Sequence, residues 1–241
     1  MIRTVIVGGD SPRSLSLHED LLASGLFQVE IQPRIVEEDL NDKRLHLKSS
    51  KESYGRELSI TERCCALAHR RAQERIGTSG GIILEDDAVV LNFQLLADYA
   101  SWVVESNKSI LLNLSSTKCA EDVNWEFDRN KIIRTCGPSA LAVGYVASSQ
   151  GMYQLIESNQ SLQFVADWPP LKAIHYRLKF PVVAHGQRNF ESLIAGSTRR
   201  EAVPLIDLVF KFRFRAFLVR LKGKLSFEIT RIQIVRYGAK L

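Results

Sequence analysis

The run Glu85-Asp86-Asp87 is the strongest local signal for chemistry in the sequence, because it directly follows the apolar Ile82-Ile83-Leu84. Three adjacent carboxylates at the end of a buried strand repel one another, so their pKa values rise unless a cation or hydrogen-bond donors compensate. A hard divalent ion suits such a site. It takes oxygen from one or two carboxylates and fills its other positions with water and substrate phosphates. In an extended chain alternate residues share a side, which makes Glu85 and Asp87 the metal-facing pair and turns Asp86 toward the scaffold. The same triplet also suits a solvated acidic turn or a helix N-terminus, where carboxylates are favoured without an ion.

Three further groups carry chemistry by type and spacing. His69 lies on a helical face with Cys65 and seven residues after Glu62, as a ligand, a base or a hydrogen-bonded structural residue. The other histidines, His18, His46, His175 and His185, share no motif spacing, which argues against a zinc hydrolase. Asp167 precedes Trp168-Pro169-Pro170; in a stiff turn its carboxylate can take a proton from an attacking hydroxyl, with the ring covering a sugar face. It reads equally as a helix N-cap before a proline. Gly8-Gly9-Asp10-Ser11 follows the first strand and can offer backbone amides to a nucleotide, although no G-x-G-x-x-G is present.

The elements that must position these residues are legible from periodicity and punctuation. Thr4 to Val7, a helix over Leu15 to Gly25 and Phe27 to Ile31 form a β-α-β opening, a layer type whose ligands sit at the carboxyl ends of strands. Glu37 to Gly55 is polar and reads as a surface loop. Ser59-Ile-Thr-Glu62 has the capping-box pattern, and Cys64, Cys65, Ala68, Ala72 and Ile76 follow at helical spacing, predicting a helix over 60–76. Strands are expected at Ile82 to Leu84, Ile110 to Leu114, Ile132 to Arg134, Ala140 to Val146 and Phe180 to Ala184. Helices are expected from Leu95 to Glu105, from a Ser148 or Ser149 cap through Ile156, and near 171–177.

Composition narrows the class. The 241 residues are 45% hydrophobic and 24% charged, which excludes disorder and collagen-like repeats and leaves room for a pocket-bearing core. The longest apolar runs fall far short of the roughly 18 to 20 residues of a membrane span, and the short apolar start, Thr4 to Val7, does not read as a secretion signal. Cys64, Cys65, Cys119 and Cys136 form no C-x-x-C and are expected as reduced, mostly buried thiols. Charge is uneven: nine basic residues from Lys211 to Lys240 stand against Asp207 and Glu228, so residues 205–241 carry +7 of the overall +5 and the body before them −2.

Three segments in order carry a resemblance: Glu57-Leu-Ser-Ile-Thr-Glu62 through His69-Arg70, Gly81-Ile-Ile-Leu-Glu-Asp-Asp87 through Val90, and Gly137-Pro-Ser through Tyr145 and Gly151 to Asp167-Trp168. Together they resemble glycosyltransferase family 25, which includes lipopolysaccharide and collagen-modifying galactosyltransferases. That family shows a Leu-Ser-x-x-Glu-x-x-Cys-x-x-Ser-His helix, an Ile-Leu-Glu-Asp-Asp strand end and a later Val-Asp-Trp. The resemblance implies an α/β fold of the GT-A, Rossmann-like type over 1–204, a uridine-diphosphate sugar donor with galactose as the sugar, and a manganese-type ion. It puts the metal on Glu85 and Asp87, donor contacts on Asp86, Glu62 and His69, and the later acid on Asp167, here read as the base. After the first strand the family's Asn-Leu-x-Arg-Ser is replaced by Val7-Gly8-Gly9-Asp10-Ser11-Pro12-Arg13, which leaves Gly8, Gly9 and Arg13 as the donor contacts there.

Residues 205–241 form a basic extension in which Phe210-Lys-Phe-Arg-Phe-Arg215 alternates strictly, fitting an edge strand or part of a helix. Aromatic residues interleaved with basic ones suit an anionic membrane surface; a terminal helix packed on the body and a nucleic-acid contact are the alternatives, the last disfavoured by the acidic body. The expectation is a cytoplasmic, peripherally membrane-associated hexosyltransferase with a glycan or glycolipid acceptor. The competing expectation is a family member that has lost catalysis and binds as a scaffold.

Overall fold

A computed structural model describes residues 1–42, 49–51, 56–115, 132–135, 143–166 and 173–186, and the backbone of 121–127. Asp167, Trp168, Cys119, Cys136 and the 205–241 extension lie outside the described residues.

The opening is the β-α-β unit expected. Strand β1 (Ile2–Val7) leads through α1 (Pro12–Ala23) to β2 (Phe27–Gln32), which pairs with it in parallel. Ser11 caps α1, its Oγ accepting from the Ser14 amide, and Pro12 sits at the first helical position, where a missing N–H costs nothing. Residues Glu37–Asn41 form a single 3-10 turn within the loop that polarity predicts. Helix α2 (Ile60–Ile76) has the expected ends, because Ser59 Oγ accepts from the Glu62 amide and Glu62 reaches back to the Ser59 amide.

Strands β3 (Gly81–Glu85) and β4 (Ala88–Val90) flank the acidic turn. They are followed by α3 (Phe93–Val104), β5 (Ile110–Asn113), β6 (Glu121–Phe127), β7 (Ile132–Thr135), β8 (Gly144–Ala147) and α4 (Ser149–Ser158), capped by Ser148. The described chain closes with β9 (Ile174–Leu178) and β10 (Val183–His185).

Among the described residues eight strands form one mixed sheet in the order β2-β1-β3-β8-β5-β9-β7-β6, and β4 pairs with β10 in a separate two-stranded ribbon. Within the large sheet every strand runs the same way except β7 and β8. This is an α/β architecture compatible with a Rossmann-like fold. Alternation sorts the core into two layers: Ile6, Ile82, Leu84, Leu112 and Val146 face α1 and α3, whereas Val5, Val7, Ile83, Leu111 and Tyr145 face α2 and α4. Each fully buried Ile or Leu contributes about 1.5–3 kcal/mol relative to exposure.

One expectation is overturned. Residues 174–178 form strand β9 and not the helix expected near 171–177, hydrogen-bonded to β5 on one side and β7 on the other. The prolines at 169 and 170 suggested a helix start, but Ile174-His-Tyr-Arg-Leu178 fills an interior slot whose two neighbours both offer ladder partners, and that pairing outweighs local signals. The last strand also starts later than Phe180, at Val183, and leaves the main sheet to pair with β4. Cys64 and Cys65 carry free thiols but are half-buried and not buried. Among the described residues no helix is long and apolar enough to cross a membrane.

Candidate functional site

Strand β1 returns through α1 to β2 on one side, while β3 lies on its other side, so the chain changes direction between β1 and β3. A crevice at the carboxyl ends of two such strands is where open α/β sheets place ligands. Val7 and Glu85 are register partners there, which sets the Gly8-Gly9 turn against the acidic triplet. Gly8 has φ +151°, and a Cβ on it would collide with the Asp86 side chain. Gly9 has φ +70°, and its Cβ would lie 2.6 Å from Arg34 Cβ. Only glycine serves at both positions, for backbone shape and for space.

The three carboxylates point to three different partners. Glu85 continues the Ile83 side of β3 and meets α2, with Oε1 3.2 Å from His69 Nε2. Asp86 turns toward the start of α1, where Oδ2 accepts from Ser11 Oγ at 3.1 Å and from Arg13 Nη2 at 2.9 Å. Asp87 Oδ2 lies 3.3 Å from His185 Nδ1 on β10, and the Gly186 amide donates to its backbone carbonyl at 2.6 Å. Asp86 therefore faces the scaffold as alternation predicts. The compensation that the sequence calls for, from a cation or from hydrogen-bond donors, is met in large part by Arg13, His69 and His185.

One oxygen is left over. Asp87 Oδ1 is buried and has no hydrogen-bond partner among the described residues. Burial and the neighbouring Glu85 charge raise the Asp87 pKa, against the opposing pull of His185. Glu85 moves the other way: burial opposes its charge, but the His69 hydrogen bond and charge outweigh burial and lower its pKa. A buried, orphaned carboxylate oxygen whose pKa is raised by the charge of a second carboxylate fits the oxygen donor set of a divalent cation.

His69 is fully buried and held from both ring nitrogens. Nδ1 lies 3.4 Å from Tyr145 Oη, which also accepts from Gln73 Nε2 at 3.0 Å, and Gln73 Oε1 accepts from Asn159 Nδ2 at 3.0 Å. Burial disfavours the charged ring, yet Tyr145, Cys65 and Glu85 together raise its pKa well above the ordinary histidine value. With both nitrogens protonated, Nδ1 donates to Tyr145 and Nε2 to Glu85.

Glu62 does not join this group. Its two oxygens accept from Arg56 at 2.8 and 2.7 Å as well as from the Ser59 amide, and burial is outweighed so that its pKa is lowered. It stands seven residues from His69, about 10 Å along the helix axis. This geometry serves the start of α2, away from the His69–Glu85 contact. The Arg13 guanidinium, expected on the donor, lies on Asp86.

Sequence reasoning missed Tyr145, Gln73, Asn159 and His185. Cys65, His69 and Gln73 recur at intervals of four on one face of α2, a spacing that flags neighbours. His185 left no local signal, because it reaches Asp87 across 98 positions of chain. Nor did spacing reveal that Cys65, His69 and Glu85 each bring one ligand atom within 4.8 Å of the other two. No protein-family model matches the chain, and no curated protein matches it.

Proposed function

We propose that the chain is a metal-dependent glycosyltransferase of the GT-A type, moving a hexose such as galactose from a uridine-diphosphate sugar to a glycan or lipopolysaccharide-type acceptor. The observation that carries this reading is the buried Asp87 Oδ1 at the end of an acidic triplet, without a hydrogen-bond partner among the described residues and set at the sheet's switch point beside a glycine turn. Family 25 resemblance in the Leu58-Ser59-Ile-Thr-Glu62 helix start and the Ile83-Leu84-Glu85-Asp86-Asp87 strand end supports it.

Glu85 and Asp87 would hold a manganese-type divalent ion, which when bound neutralises charge on a departing diphosphate. The protein's own groups prepare that site. His69 holds the Glu85 carboxylate ionised and oriented, the Gly186 amide fixes the backbone of Asp87, and the Arg13–Asp86 pair locks the turn to α1. Gly8 and Gly9 let the β1 backbone turn beside the acidic triplet, where a donor phosphate is assigned, with the Gly9 amide itself donating to the Gln32 carbonyl at 3.2 Å. Asp167 is assigned the acceptor hydroxyl's proton. The basic 205–241 extension is assigned to an anionic membrane surface on the cytoplasmic side, where a glycolipid acceptor lies.

The Arg13–Asp86 ion pair favours a second reading, a family member that has lost transfer and binds as a scaffold, because it occupies the arginine expected on the donor. Calorimetry with uridine diphosphate separates the two. Binding that needs manganese, vanishes with chelator and is lost in Asp87→Asn supports the transferase. Absence of binding by folded protein in every condition supports the scaffold. Turnover lost in Asp167→Asn with donor binding kept would assign the base.

A further inference from the structure

We propose that Cys65, His69 and Glu85 form a second metal site, one for a borderline-soft divalent cation of the zinc class. It goes beyond the nucleotide-sugar reading, since it needs no donor substrate and takes two of its three ligands, Cys65 and His69, from outside the acidic triplet, sharing only Glu85 with it.

A thiolate, an imidazole and a carboxylate are the groups zinc takes, and with one water they complete a tetrahedron. Manganese and magnesium prefer oxygen, so a thiol in the set selects against the ion proposed at Asp87.

One ligand atom from each residue lies within 4.8 Å of the others. His69 Nε2 and Glu85 Oε1 are 3.2 Å apart, close to the separation of about 3.4 Å that two ligands at roughly 2.0–2.2 Å subtend at a tetrahedral centre. Cys65 is one helical turn before His69, so both project from the same face of α2.

A metal-bound histidine is normally held through its other ring nitrogen, and here Tyr145 Oη faces Nδ1 and is itself fixed by Gln73 and Asn159. This buried chain spans β8, α2 and the end of α4, and it orients the ring toward Glu85. The half-buried Cys65 and the 27% exposed Glu85 side chain leave a path for the ion and its water. The ion replaces the Nε2–H contact with Glu85 and ties the end of β3 to α2. Glu85 has a second oxygen, so the acidic turn keeps a ligand for its own cation.

The test is cobalt substitution of the full chain, read by absorption, with metal content measured after equilibration with zinc. The expected result is one bound zinc and, with cobalt, a thiolate charge-transfer band. That band should disappear in Cys65→Ser and persist in Cys64→Ser and Asp87→Asn. Tyr145→Phe should weaken zinc binding about 10- to 100-fold, the range for loss of an outer-shell partner. No charge-transfer band from folded wild type at saturating cobalt overturns the proposal, as does a band that survives Cys65→Ser. Manganese-dependent nucleotide binding is read separately, and it is expected to fail in Asp87→Asn while the cobalt band remains.

Discussion

His69 and Glu85 face each other across the joint between α2 and β3, imidazole Nε2 to carboxylate Oε1 at 3.2 Å, with the histidine wholly buried and the carboxylate partly open to water. The pair couples the helix that carries the Leu58-Ser59-Ile-Thr-Glu62 start to the strand that ends in the acidic triplet. Stability and the site's electrostatics therefore depend on the same contact.

A pH window follows for the ion-free protein. Glu85 is lowered from an ordinary value of 4.5, so its contribution is present above that value and lost as pH falls through the depressed folded one. His69 is raised above 6.5, so its contribution is full below that value and lost as pH rises through the elevated folded one. Glu85→Gln should destabilise most between pH 4.5 and 6.5, by about 1.5–3 kcal/mol, the range for a charged hydrogen bond. Urea denaturation of both proteins across pH, in chelator, reads this directly; an effect that grows steadily above neutral pH contradicts it.

Asp87 has the opposite sign. Its pKa is raised from 3.8 by burial and by Glu85, so the ion-free protein loses stability as pH climbs from that value through the folded one. Asp87→Asn should stabilise the ion-free protein at neutral pH by up to about 1 kcal/mol, a modest figure because the side chain is partly solvated. On the proposed transferase reading, transfer should fall at least about a hundredfold, since several kcal/mol of transition-state stabilisation would go with the cation. Thermal melts in chelator and an activity assay check the two halves; a destabilised variant refutes the first.

Glu62 is the control that separates holding the helix from binding the donor. Glu62→Ala removes the capping box and leaves Arg56 without its carboxylate. The expected loss is about 2 kcal/mol, a Tm lower by roughly 4–8 °C in a chain of this size. Nucleotide affinity of the folded variant should be unchanged. Weakened nucleotide binding with an unaltered melt would return Glu62 to the donor site.

Gly8 and Gly25 both have positive φ but differ in surroundings. A Cβ on Gly8 meets Asp86, whereas nothing lies within 4 Å of one on Gly25. Gly25→Ala should cost about 1 kcal/mol, the backbone penalty alone. Gly8→Ala should cost more, about 2–4 kcal/mol, because Asp86 must leave Arg13 and Ser11. Equal losses in chemical denaturation would show that the Gly8–Asp86 approach is relaxed in solution.

What was legible in the sequence is what short-range physics decides. The caps of α2 at Ser59 and Glu62, the 60–76 span, the β-α-β opening and the buried Ile82-Ile83-Leu84 run each follow from a few neighbouring residues, through hydrogen bonds to the helix end or a repeat of apolar positions. The division of labour within Glu85-Asp86-Asp87 was partly readable too, since alternation separates Asp86 from its neighbours. Tertiary structure alone decided that 174–178 is a strand, because two flanking strands far along the chain supply its hydrogen bonds. It alone set His69 against Glu85 and Tyr145, and His185 against Asp87. Those contacts join residues whose local sequences carry no record of each other. Their spacing depends on how helices pack on the sheet, a property of burial shared across the whole fold.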